Sequence, residues 1–428
     1  MRFGVAAAAL VATLAFASSA LAAKPYPLDY KSFDLSGGTK VGLAYSGGVL
    51  TLTPPLGSFT YTDPYAVLGQ PVDGSGTYDY GTWTSAEYPL SFAASQLVSS
   101  WNSKTPPGTF IQSEVLPKFA DGHWSTKWYI LGQWSYSDSK FHRASVGGQG
   151  TKDGFVAIDT FVAGKYDVVA YKLRLTLYRR GDATQGPTVS RFSAVASNLR
   201  NQKNTYPSET SGVAKDLAVT RFSQELHRGH YPEFDNGGEA WCSPTSTAMV
   251  VHYWQDRDTT GAQYAPDASE TAWVTPANDA EVDFTARYVY DYHYQGAGNW
   301  PFNTAYASER GLVGDVTQLH SLAEAEPFIQ AGVPLIASVA WTSNKISAAD
   351  IKSTNGHLLV IRGFEADGDV IVNDPATFIT NDNVTHVYDR EEFERAWIPA
   401  SGGIVYVIRP AVDAGGPNLD TLLAQNNS

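Results

Sequence analysis

One sulfur frames the reading of this chain. Cys242 is the only cysteine, and it lies in Gly237-Gly238-Glu239-Ala240-Trp241-Cys242-Ser243-Pro244-Thr245-Ser246. The glycine pair gives a flexible approach. Pro244 suits a first helical turn, where its missing N–H would be unpaired anyway. The run from Ala248 to Trp254 is apolar on nearly all sides, which predicts a buried helix over Ser243–Trp254. Cys242 then sits at or just before a helix N-terminus, where free amides and the dipole favour an anion and so a nucleophilic thiolate. The competing reading is a buried cysteine acting only as a small hydrophobe.

A thiolate nucleophile needs a base, and the base needs a group to orient it. Among nine histidines, His357 opens the strand His357–Gly363, which leads through Asp367-Gly368 into Val370–Asn373 and then Asp374-Pro375. That pattern predicts a hairpin. A five-residue loop, Phe364 to Gly368, sets His357 opposite the Asp374–Pro375 step, whereas a two-residue Asp367-Gly368 turn sets it opposite Phe378. In the first register Asp374 accepts an imidazole N–H and stabilises the imidazolium. Asn373 is the second choice as orienter. The hydroxyls of Ser243 and Ser246 read as helix caps rather than nucleophiles, and Trp241 reads as a packed side chain. His123 and His142 are isolated. No carboxylate cluster accompanies His227 and His230 in His-Arg-Gly-His, so no metal and no cofactor are expected.

The elements that must hold these residues fall into two halves. From Lys24 to about Asn201, short strands and turns dominate: Leu50–Thr53, Lys127–Trp134, Gly154–Val162, and Lys172–Leu177 with Leu173, Leu175 and Leu177 on one face. This predicts an all-β sandwich or jelly roll over residues 24–200, with one helix-like piece at Ser91–Trp101. A polar, breaker-rich linker follows over 201–214. Residues 215–412 carry helical windows at Ser243–Trp254, Glu281–Tyr294 and Leu319–Ala331, the last stopped by Gly332. The strands Leu335–Trp341, His357–Gly363 and Val370–Asn373 come next, then a helix Arg390–Trp397 and a strand Ile404–Ile408. Helices first and strands afterwards predict an α+β domain. The polar tail, 413–428, is expected to fray.

Met1-Arg2, an apolar run to Phe16 and Ala20-Leu21-Ala22 predict a signal peptide cut after Ala22, and export to an extracellular or periplasmic space. No later stretch approaches about 18 continuous apolar residues, so no membrane span is expected. An exported chain with one unpartnered cysteine points to a working thiol or an intermolecular bridge. A net charge of −13 argues against nucleic acid and anionic membranes as partners. Eleven Trp and 24 Tyr fit either large cores or sugar-facing platforms.

The three segments Gly237–Met249, Gly356–Phe364 and Val372–Ala376 resemble, in the same order, the cysteine, histidine and aspartate segments of the C39-like peptidase family. The resemblance spans about Ala218 to Pro410 and implies a papain-like fold with a Cys242–His357–Asp374 triad. It also implies a glutamine upstream of the cysteine whose amide helps form the oxyanion hole, and Gln224 is the matching position. Ser243 replaces the glycine that often follows the nucleophile. The β-rich half is similar to the accessory domain of exported members, and no ATPase or membrane segments suggest a transporter-fused form. The resemblance implies an exported cysteine peptidase acting on peptides or proteins, cell-wall peptides among them. Two alternatives stay open: a cell-wall amidase or transpeptidase with the same triad, and a glycan- or peptide-binding protein whose second domain is a retired enzyme.

Overall fold

The computed structural model of the chain describes residues 25–65, 74–343, 345–378, 380–425 and 427. The expected signal peptide, residues 1–22, lies outside the described residues. The first half consists of two seven-stranded antiparallel sheets. One is centred on Gln96–Lys104 and Thr188–Ser197, the other on Thr109–Phe119 and Val168–Arg180. Alternation sets the inward face: Leu173, Leu175 and Leu177 are fully buried. Aromatic rings bridge the two sheets, with Trp83 6.0 Å from Phe192 and Tyr129 4.8 Å from Phe161.

The helix expected at Ser91–Trp101 is instead the end of one strand, Tyr88–Ala94, and most of the next, Gln96–Lys104. The latter is buried on both faces, which removes the polar alternation that marks a half-exposed strand. Ser99 Oγ meets Ser113 Oγ of the opposite sheet at 2.7 Å. On the other face Ser100 Oγ accepts from Val316 N and Asn102 Nδ2 donates to Gly314 O, both in the second half of the chain. The run Gly154–Val162 is a hairpin rather than one strand, Gly154–Ala157 pairing with Thr160–Ala163 across a turn where Ile158 has φ 59°.

The second half is built on a seven-stranded antiparallel sheet. Its main path runs Val313–Gln318, Ile404–Arg409, Leu335–Trp341, Thr354–Phe364, Val370–Asn373 and Thr385–Tyr388. Its helices are α1 (Cys242–Gln255), α2 (Ala280–Val289), α3 (Trp300–Glu309), α4 (Leu322–Gln330) and α5 (Arg390–Ser401). The helix α2 stops five residues short of its expected end because Asp291 organises a loop: its Oδ1 accepts from the amides of Ser145, His293 and Tyr294. The sequence reading passed over α3, although Asn299 caps it through Phe302 N and Pro301 stands in its first turn. No helix of the described residues is long and apolar enough to cross a membrane.

The two halves share one core. Fully buried Asp315 accepts from Tyr30, Arg191 and Ser193 of the β-rich half and from Arg409 of its own. Arg143, also fully buried, donates to the carbonyls of Arg287 and Tyr290 at the C-terminal end of α2, where the helix dipole favours a cation. The described residues of the tail, expected to fray, fold back onto the β-rich half. A sixth helix, Asp420–Gln425, packs down with Leu419 and Leu423 buried, and Asn427 exchanges hydrogen bonds with the backbone of Tyr30.

Candidate functional site

Cys242 is the first residue of α1, half-buried and unpaired as a disulfide. No side chain caps the helix. Ser243 and Ser246, expected as caps, are instead ties to the sheet: Ser243 Oγ meets Tyr406 OH at 3.0 Å, and Ser246 Oγ donates to Leu358 O at 3.1 Å. The second tie anchors the helix start beside the residue that follows His357. Trp241 is fully buried and donates to Phe234 O, so it packs rather than lines a cleft.

The approach to Cys242 depends on Gly238. A Cβ there would lie 2.2 Å from Gln224 O and 2.5 Å from the His227 carbonyl carbon, both backbone atoms, so the chain tolerates only glycine at this crossing. That close approach presses the cysteine loop onto the 3₁₀ turn Gln224–His227. Buried Gln224 bridges the two sides of the site. Its backbone N–H donates to Pro375 O at 3.0 Å, and its Nε2 donates to Glu239 O at 2.9 Å.

His357 lies in the strand Thr354–Phe364 and is almost fully buried. Its Nε2 is 2.7 Å from Asp374 Oδ1. That carboxylate is held further by Ala376 N at 2.9 Å on Oδ1 and by Tyr388 OH at 2.7 Å on Oδ2. The hairpin has a five-residue loop, Glu365 to Asp369, one residue later than the sequence reading placed it. A bulge at Arg362 recovers part of the offset: Val360 pairs with Asn373, and Asp374 follows at the strand end within reach of His357. Asn373, the second choice as orienter, faces elsewhere. Its Oδ1 accepts from Arg362 and Thr385, and its Nδ2 donates to Val219 O and Thr220 O.

Charge complements this geometry. Burial alone would lower the His357 pKa, but the Asp374 charge and hydrogen bond, reinforced by Cys242, outweigh it and hold the imidazole up at about 10. Burial alone would raise Asp374, yet the His357 charge and hydrogen bonds, with the Tyr388 hydroxyl, keep it below the usual carboxylate range. The β-rich half reaches the same region. Asp159, in the turn of the Gly154–Ala163 hairpin, accepts from Trp300 N at the start of α3 at 2.8 Å. Burial pushes its carboxyl up to about 7, and the charge of Asp291 adds to that rise. Tyr294 and Tyr406 are raised first by burial and then by charges that include both Asp159 and Cys242.

The fold thus brings together Cys242, His357, Asp374 and Gln224. Tyr388 is the member that sequence reasoning missed, and its strand Thr385–Tyr388 carried too short a pattern to be read. His142 is buried against Asp63 at 2.6 Å and His123 lies near the surface. His227 and His230 do have a carboxylate, Asp283 of α2, which spacing along the chain did not reveal.

Cys242 thus starts a helix, and the buried His357–Asp374 pair stands on the sheet against which that helix is tied. Residues 29–197 match the family model described as the peptidase C39 N-terminal domain, and residues 216–405 match that of the Peptidase C39 like family. The chain belongs to the C39-like peptidase family. Comparison with curated proteins gives no match. Among solved structures, one described as a C39-like peptidase from Bacillus anthracis is 18% identical, with 46% of this chain and 97% of that chain covered and a TM-score of 0.28. The N-terminal modules of a Clostridium thermocellum endo-1,4-beta-D-xylanase, complexed with xylohexaose, are 12% identical, covering 46% of this chain and 32% of that one, with a TM-score of 0.19.

Proposed function

We propose that the chain is an exported cysteine peptidase: a papain-like catalytic domain joined to a β-sandwich, using Cys242 as nucleophile, His357 as its proton partner and Asp374 to orient the imidazole. The observation that carries this reading is the His357 imidazole, committed through Nε2 to a buried carboxylate while Cys242 interacts with the same ring. With Nε2 taken, Nδ1 is the nitrogen left to exchange a proton with sulfur.

In this reading the thiolate attacks the scissile carbonyl carbon, forming the C–S bond, and the carbonyl electrons move onto oxygen. The Gln224 amide and the Cys242 backbone N–H hold that oxyanion, donors worth a few kcal/mol each in such sites. The C–N bond breaks as His357 protonates the leaving amine. Water, deprotonated by the neutral imidazole, then releases the acyl group and restores the thiol. The helix start of α1 contributes its dipole on the thiolate side. Peptide or protein substrates fit this chemistry. An amidase or transpeptidase acting on cell-wall peptides shares each step up to the acyl-enzyme and differs in the acceptor.

The test is a peptide-library digest, cell-wall peptides included, comparing wild type with Cys242→Ala. Cleavage by wild type alone supports the proposal, and unchanged cleavage by Cys242→Ala overturns it.

A further inference from the structure

The cluster His227, His230 and Asp283 takes no part in that chemistry. Its three candidate ligand atoms lie within 4.8 Å of one another. His227 sits on the Gln224–His227 turn, His230 follows after Gly229 at φ 72°, and Asp283 comes from the first turn of α2. Asp283 is fully buried, and each of its oxygens meets one imidazole: Oδ2 lies 2.8 Å from His227 Nδ1, and Oδ1 lies 2.9 Å from His230 Nδ1. His227 is anchored from this side alone, since its Nε2 is buried and meets no partner among the described residues.

We propose that these three residues form a binding site for a divalent first-row transition-metal ion, zinc being the reference case, held by His227 Nδ1, His230 Nδ1 and the Asp283 carboxylate. Two imidazoles and a carboxylate are a ligand set suited to such ions. Neighbouring ligands on an ion with bonds of about 2.0–2.1 Å stand about 2.9–3.4 Å apart for angles between 90° and 109°. The observed 2.8 and 2.9 Å lie at the short edge of that range, and the two imidazole nitrogens lie within 4.8 Å of each other, so side-chain adjustment toward one shared point admits the ion. A buried carboxylate also needs a positive counterpart. The nearest guanidinium on this turn, Arg228, is spent on Glu225 and Glu239 instead. The ion would pin α2 to the turn that carries Gln224. It would also brace the loop to Cys242, because Arg228 bridges Gly237 and His227 packs 6.2 Å from the Trp241 ring. Its role is to hold structure, and the remaining coordination positions go to water.

The experiment uses the full chain carrying Cys242→Ala, because a thiol beside His357 could itself capture zinc. After chelator treatment, the protein is dialysed against micromolar zinc, and bound metal is measured by mass spectrometry. About one zinc per chain is expected. Adding His230→Gln should weaken binding at least about tenfold, and zinc should raise the melting temperature of the parent but not of that variant. X-ray absorption of the zinc-loaded parent should count two imidazole ligands, a readout that survives if His230→Gln folds poorly. Equal zinc in parent and variant, or no imidazole around the metal, overturns the proposal. So does the absence of bound zinc with an unshifted melting temperature. The cluster is then a hydrogen-bonded His–Asp–His bridge.

Discussion

Tyr388→Phe isolates one hydrogen bond in the site without altering its volume. The Tyr388 hydroxyl, fully buried, donates to Asp374 Oδ2 at 2.7 Å, opposite the oxygen that faces His357. A hydrogen bond to a charged group contributes about 1.5–3 kcal/mol, and a neutral one about 0.5–1.5 kcal/mol. The variant should therefore lose about 1.5–3 kcal/mol of stability at pH 7, where Asp374 is a carboxylate. Asp374 has a native pKa depressed below its ordinary 3.8. Its ionisation thus contributes stability that is present above 3.8 and is lost as pH falls through the native value. Removing the hydroxyl raises the native value toward 3.8, so the acid loss is smaller and is complete at higher pH. Below the native value only the neutral bond is at stake, and the deficit should shrink roughly twofold. Urea unfolding of both proteins from pH 7 down through the acid loss reads these differences directly. A deficit that stays the same size on both sides of that loss, or none at pH 7, would refute the idea that the phenol holds Asp374 ionised.

Four other outcomes follow from the same geometry. Asp374→Asn should drop the His357 pKa from about 10 to below its ordinary 6.5, since burial is then no longer opposed by a carboxylate; Cys242→Ala should give a smaller drop. Ring-resonance titration by NMR measures both. In wild type the raised His357 contributes stability that is complete below 6.5 and is lost as pH rises through about 10, so the melting temperature should fall across that interval and fall less in Asp374→Asn. Asp159 carries an acid whose native value is raised from 3.8 to about 7, so its contribution is complete below 3.8 and declines up to about 7; Asp159→Asn should flatten that slope between those two values in urea titrations. Gly238→Ala should cost about 1–3 kcal/mol, because the added methyl meets backbone that cannot step aside. Its thiol should also alkylate at a changed rate as the loop shifts off Gln224.

Much of the second half was legible from pattern alone. Leu335–Trp341 occupies the residues the apolar run marked, and the His357 hairpin formed with the longer of the two loops the pattern allowed. The loop sits one residue later than expected, and the Arg362 bulge takes up part of that shift. That bulge lets Arg362 reach Asp216 and Asn373, a demand set by distant partners. Gln96–Lys104 misled because it has no solvent face to leave a polar stripe. The serines there are satisfied by Ser113, Ser193 and the Val316 amide, none of them near in sequence. Asp283 and Tyr388 were invisible for the same reason: each is ordinary in its own segment and acquires its role only where helix or strand meets another. Cys242 could be found because helix starts announce themselves locally.

The joint at Asp315 says something about exchanging the two halves. Tyr30, Arg191 and Ser193 reach this carboxylate from the β-rich half, and among the described residues Arg409 alone reaches it from the half that carries Cys242. A swapped-in amino-terminal module lacking those three donors would leave Asp315 Oδ1 facing a foreign wall, with Arg409 still on Oδ2. Grafting a different β-rich half onto this one therefore calls for matching donors, or a neutral side chain, at this joint.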